Sequence, residues 1–271
     1  MAEFLEVLSF PFMRRALIVG VIVSLCAALL GVVLVLKRYS LIGHGLGEVG
    51  FAALALAMAL GLPPMPVAIP LVVAASFLIM YLSQRGALAG DAAIGIMAAA
   101  ALSFGVIVTS LSHGFNMDVS DYMFGSILAV SESDVVLSVV LGLAVILMYG
   151  LFFNRLFAIS YDEVNAQATG INVSMYQFMI SLLTAITVVL GMRMMGTMLI
   201  SSLILLPALT ARRLVGSFKA MTLAAAVISV ACFLIGLVLS YALDLPTGAS
   251  VVGVNLAALV GSVGLKRVLK G

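Results

Sequence analysis

Long apolar runs, separated by short clusters of charge, glycine and proline, fall at about 16–36, 44–61, 67–83, 92–112, 135–153, 173–191, 195–211, 220–241 and 250–265. A helix crosses the hydrocarbon core of a bilayer in about 20 residues, so each run predicts a membrane-spanning helix. The runs lack the period-two alternation of barrel strands. The spans number eight or nine, because the second run and the pair flanking Gly191 are the least sharply bounded. Residues 1–13 place Glu3 and Glu6 among Phe4, Leu5, Val7, Leu8, Phe10 and Phe12, a pattern that predicts a short helix lying in the membrane interface.

Composition agrees: 64% of the 271 residues are hydrophobic and 9% are charged. No linker, low-complexity tract or change in composition marks a second unit, so residues 1–271 read as one transmembrane domain, all-α and polytopic. Basic residues near span ends stay on the cytoplasmic side. With the C-terminus inside, Lys37, Arg38, Arg85, Arg155, Arg212, Arg213, Lys219, Lys266, Arg267 and Lys270 all fall inside. Arg14, Arg15 and Arg193 fall outside, and nine spans then put the N-terminus outside.

A net charge of +2, with its basic residues scattered, gives no footprint for nucleic acid. Cys26 and Cys232 lie deep in apolar runs and read as inert thiols, not as a disulfide or a metal pair. No Gly-x-Ser-x-Gly elbow, His-Glu-x-x-His pair or phosphate-binding Gly-x-x-x-x-Gly-Lys-Ser/Thr loop occurs, so the chain is read as a non-enzyme and any ATP must be hydrolysed by a partner.

Ionisable groups inside spans are costly and count first as functional candidates. His44 and Glu48 stand four residues apart in Gly43-His44-Gly45-Leu46-Gly47-Glu48-Val49-Gly50, hence on one helical face. A nitrogen and a carboxylate at that spacing can ligate one divalent ion; zinc, manganese and ferrous iron all accept such donors. The same pair could instead be a hydrogen bond joining helices. The surrounding glycines allow either a close helix approach or a broken, carbonyl-exposing backbone.

Asp118, Asp121, Glu132 and Asp134 gather on the outer side with His113 at the edge of span four. They read as solvated loop charges or as an acidic mouth that concentrates cations. The inner stretch 154–174 is the longest cytoplasmic loop. In it Ser160 can cap a short helix with Glu163 as its capping-box partner, and Gly170 can end it. Such a helix is a docking element or a plain amphipathic connector. Met192, Met194, Met195 and Met198 read as packing residues, and Pro207 should loosen or kink span seven.

Several segments together resemble the permeases of the zinc and manganese ABC importer family, which works with cluster A-I type metal-binding proteins. They are Val33-Leu34-Val35-Leu36-Lys37-Arg38-Tyr39-Ser40-Leu41-Ile42-Gly43 before the candidate site, Gly90-Asp91-Ala92-Ala93-Ile94-Gly95-Ile96, Tyr122-Met123-Phe124-Gly125-Ser126-Ile127-Leu128, Tyr161-Asp162-Glu163 through Ala166 and Gly170, Gly196-Thr197-Met198-Leu199-Ile200-Ser201-Ser202-Leu203-Ile204-Leu205-Leu206-Pro207-Ala208 with Ala211-Arg212, and Pro246-Thr247-Gly248-Ala249. These six segments, in the right order, carry the resemblance over nearly the whole chain. The family usually has Asp then His where this sequence has His44 then Glu48.

The resemblance implies a permease fold of the vitamin B12 and metal-chelate permease type in the bacterial plasma membrane, importing a divalent transition metal, zinc before manganese or iron. It implies as partners two ABC ATPase subunits, an extracytoplasmic metal-binding protein and a second copy of the chain, with His44 and Glu48 as transient ion ligands. Tyr161, Asp162, Glu163, Ala166 and Gly170 would form the helix coupling the chain to its ATPase. The alternatives are a permease for an iron chelate or similar cofactor, with a wider cavity and no ion ligands, and a proton-coupled secondary transporter using His44 and Glu48 as a relay.

Overall fold

A computed structural model of the chain describes residues 11–84, 90–112 and 132–268. These residues form ten helices and no strand: α1 Pro11–Leu36, α2 Ile42–Ala59, α3 Pro64–Gln84, α4 Gly90–Leu111, α5 Glu132–Tyr161, α6 Glu163–Ala168, α7 Val173–Met195, α8 Thr197–Leu214, α9 Phe218–Leu243 and α10 Thr247–Val268. All but α6 are long and apolar enough to cross a bilayer. The nine spans expected from the apolar runs are therefore present. Residues 1–10, most of the expected interfacial segment, lie outside the described residues.

α1 is the most enclosed span, packed by α5, α7, α8 and α9. Its glycines and small residues let neighbours come close. A Cβ built on Gly31 would stand 2.0 Å from the Ile204 carbonyl oxygen on α8. α2 packs against α3, α4 and α8, and α8 also against α9 and α10. Ile107 of α4, Leu143 and Leu147 of α5, Val227 of α9 and Val260 of α10 face outward, as a lipid-facing surface requires.

The hydroxyls buried in α7 and α8 bond mainly to their own helices. Thr184, Thr187, Ser201, Ser202 and Thr210 donate to the carbonyls of Ile180, Leu183, Thr197, Leu199 and Leu206. A few hydroxyls cross between helices: Ser229 donates to the Ser24 carbonyl at 2.9 Å, Tyr149 to that of Leu29, and the Ser76 and Ser181 hydroxyls share a bond at 2.5 Å. Cys26 and Cys232 are buried free thiols, as expected. Met192 and Met195 are buried packing residues, and α8 continues unbroken through Pro207.

The span ends differ most at α5. The apolar run stops near residue 153, yet the helix bends at Phe152 (φ −118°, ψ 15°) and runs on to Tyr161. Arg155 does not end it, because its guanidinium donates to the Tyr176 hydroxyl (2.5 Å) and lies 5.9 Å from the ring centroids of Phe152 and Tyr176. The stretch 154–174 is therefore the last turns of α5 followed by α6, more ordered than the loop expected there.

Basic residues mark one end of the bundle. Lys37 and Arg38 follow α1, Arg212 and Arg213 close α8, and Lys219 opens α9. Phe153 and Phe157 of α5 meet Phe218 of α9 at this end, with ring centroids 5.2 and 5.4 Å apart. This is the cytoplasmic end by the positive-inside rule. At the other end Arg15 of α1 pairs with Glu132 of α5 at 2.5 Å.

Candidate metal-ion site and docking helix

α1 ends in a Schellman turn. The Tyr39 N–H bonds back to the Leu34 carbonyl (2.9 Å) and the Arg38 N–H to that of Val35 (3.3 Å). Arg38 occupies the left-handed position (φ 62°) where glycine is usual. The chain then reverses into α2, whose first two turns carry the candidate ligands.

His44 Nδ1 lies 3.7 Å from Glu48 Oε1; the imidazole is largely exposed and the carboxylate mostly covered. Two donors about 2.1 Å from one tetrahedral ion stand roughly 3.4 Å apart, so a shift of a few tenths of an ångström would let both reach the same ion. No group of three or more His, Cys, Asp or Glu side chains suited to a metal occurs among the described residues. Among the described residues the pair therefore offers two candidate donors, two short of a closed four-coordinate site.

The glycines beside the pair serve close packing, since α2 is continuous. A Cβ on Gly43 would stand 3.1 Å from Ser201 Cα, and one on Gly47 3.2 Å from Thr197 Cβ. One on Gly45 would stand 2.6 Å from Ile94 Cγ2. α8 and α4 therefore grip the first turns of α2 on two sides, and the His44/Glu48 edge is held beside the start of α8.

The short helix expected to couple the chain to an ATPase is capped by Asp162, not by Ser160. α5 continues through Tyr161, so the Ser160 hydroxyl is spent within that helix on the Leu156 carbonyl (2.6 Å). Asp162, with extended backbone, caps α6 by accepting from the Asn165 N–H at 2.9 Å. Gly170 (φ 84°) ends α6 as expected, with the Ile171 N–H bonded to the Ala166 carbonyl at 3.1 Å.

Ala166 points inward against Ile159, Val173 and Tyr176. The outward surface is made by Tyr161 and Val164, 83% and 80% exposed. Val164 was not anticipated: inside a six-residue helix, apolar periodicity has too few turns to assign a face.

Glu163, expected as a capping-box partner, is engaged elsewhere. Its Oε1 accepts from Gln177 Nε2 of α7 (2.6 Å), and its Oε2 pairs with Lys37 Nζ at 3.1 Å. A polar cleft of about 430 Å³, lined by Tyr39, Ser83, Glu163, Gln167, Ser174 and Gln177 among others, lies between α6, α7 and the α1–α2 turn. Burial pushes the Lys37 ammonium below its ordinary value of 10.5, and the Glu163 carboxylate offsets part of that.

Of the acidic outer residues, Glu132 pairs with Arg15 and Asp134 falls in the first turn of α5. Asp118, Asp121 and His113 lie outside the described residues.

The chain is 31% identical over 251 residues to the manganese import system permease protein ScaB of Streptococcus gordonii, covering 92% of this chain and 90% of that protein. It is 30% identical over 246 residues to the high-affinity zinc uptake system membrane protein ZnuB of Haemophilus influenzae, covering 90% and 93%. The solved structure of PsaBC from Streptococcus pneumoniae in complex with Fab superposes with a TM-score of 0.83 at 29% identity, over 96% of this chain and 94% of that one. The profile of the ABC 3 transport family matches residues 9–266. With these matches laid over nine apolar helices, the chain belongs to the ABC 3 transport family, as a multi-pass metal-ion importer permease of the bacterial plasma membrane.

Proposed function

We propose that two copies of the chain pair about a central pathway and pass a divalent transition metal, zinc, into the cytoplasm. An external metal-binding protein delivers the ion, and each copy docks one separate ATPase through residues 160–170. The observation that carries this reading is the His44/Glu48 pair, 3.7 Å apart with an exposed imidazole and a mostly covered carboxylate, on helix turns gripped by α4 and α8. Two such pairs facing across a two-fold axis would supply four donors. An imidazole favours zinc over manganese, which stands lowest in the divalent affinity order. Few, incompletely closed ligands suit a conduit, since an ion must leave as readily as it arrives.

Manganese is the second reading, favoured by the likeness to the S. gordonii protein named for manganese import. Uptake of radioactive zinc, manganese and iron into proteoliposomes holding the chain, its ATPase and its binding protein decides among them. ATP-dependent zinc uptake should fall more than about tenfold in His44→Ala and in Glu48→Gln, equivalent to about 1.4 kcal/mol of lost ion binding. Normal uptake by both variants would remove these residues from the site. Accumulation without ATP would favour the proton-coupled alternative, and no ion uptake at all the chelate permease.

A further inference from the structure

Lys37 and Glu163 stand 126 positions apart along the chain, yet the fold brings them to 3.1 Å. Glu163 is the first residue of α6, and its carboxylate also holds Gln177 of α7. Lys37 is the first residue beyond α1, in the turn that leads through Arg38 and Tyr39 to His44. Its side chain is only 7% exposed, so this ammonium has been taken from water and needs its counter-charge held in place. Between the two elements lies the polar cleft lined by Tyr39, Gln167 and Ser174, which leaves α6 and the turn room to move relative to each other except where the ion pair bridges them.

We propose that Glu163 is a positioning residue that transmits movement of the docking helix α6, through Lys37, to the turn that opens the ion-site helix α2. The inference rests on the docking role proposed for α6 and names how that role reaches His44 and Glu48. α6 is fixed to α5 and α7 by Ala166 among Ile159, Val173 and Tyr176. Those contacts lead back along the helices that carry α6, whereas the Glu163–Lys37 pair crosses to a different hairpin. The turn it reaches is itself poised, because Arg38 holds a left-handed backbone (φ 62°) that a non-glycine residue adopts at a cost.

The test measures metal ions transported per ATP hydrolysed in proteoliposomes with the ATPase and binding protein. Four variants are compared: Glu163→Gln, the neutral double Lys37→Met with Glu163→Gln, the reversed double Lys37→Glu with Glu163→Lys, and Glu163→Asp. Elution and heat stability of each purified complex separate folding from coupling. A coupling pair predicts that ions per ATP fall at least about fivefold in Glu163→Gln and in the neutral double, and recover in the reversed double or in Glu163→Asp. A pair that only stabilises the fold predicts full recovery in the neutral double, which buries no lone charge; that result, or an unchanged ratio in Glu163→Gln, overturns the proposal. If the unmodified complex transports with ATP while these variants match it, the permease reading stands and only the coupling proposal falls. If the unmodified complex shows no ATP-driven uptake, the permease reading falls and takes the proposal with it.

Discussion

Gly31→Ala should unseat α1 from α8. The added methyl would stand 2.0 Å from the Ile204 carbonyl oxygen and 2.9 Å from its carbonyl carbon. An ordinary carbon–oxygen contact needs more than 3 Å, so the two helices must part by about 1 Å. The obstacle is backbone and cannot rotate aside, so the cost lies at or above the upper end of the roughly 1–3 kcal/mol of overpacked cores. Alanine's better helix propensity returns up to about 1 kcal/mol, leaving a net loss of at least about 2 kcal/mol. For a chain of this size that corresponds to a fall of about 4–8 °C in Tm. Gly150→Ala is the matched control, since a Cβ there meets nothing within 4 Å; it should leave Tm unchanged or raise it. Fluorescence-detected unfolding of both variants in detergent reads the difference. A Gly31→Ala protein as stable as Gly150→Ala would refute the claim that backbone contact, rather than side-chain filling, seats these helices.

Two further outcomes follow from the cytoplasmic end. Replacing both Tyr161 and Val164 with alanine removes the exposed apolar surface of the docking segment; ATPase binding measured by co-purification should weaken while the Tm of the isolated chain stays the same, and undiminished binding would place the docking surface elsewhere. Lys37 makes stability depend on pH. Because burial lowers its folded-state value beneath 10.5, the unfolded chain binds the proton more tightly. The cost is therefore relieved as pH rises through the interval between the lowered value and 10.5. The Tm should climb as pH rises towards 10.5 relative to that of Lys37→Met with Glu163→Gln, and a constant difference between the two proteins would contradict the assignment.

The number and type of helices are legible because lipid imposes long apolar runs, and α2, α4 and α9 begin and end close to where the runs do. The far end of α5 is not, because hydropathy stops at Arg155, whereas the helix continues with that charge satisfied by Tyr176 and two aromatic faces. The His44/Glu48 pair is legible because it is local, a matter of helical spacing. Which use the glycines around it serve was open in the sequence, and the contacts with Ser201, Thr197 and Ile94 decide it for close packing. Glu163's true partners were invisible: Lys37 is joined to it only by the tertiary fold, and the nearby Ser160 offered a plausible but local role that Asp162 fills.

The hydroxyls of Thr184, Thr187, Ser201, Ser202 and Thr210 are satisfied within their own helices. Small polar side chains are often read as clasps between spans, but these leave the helix surface able to slip. Shear of α7 or α8 past a neighbour would break none of these five bonds, whereas it would break the Ser229–Ser24 and Ser76–Ser181 bonds if it separated those helices. What holds α8 against α1 and α2 is instead the close approach at Gly31, Gly43 and Gly47.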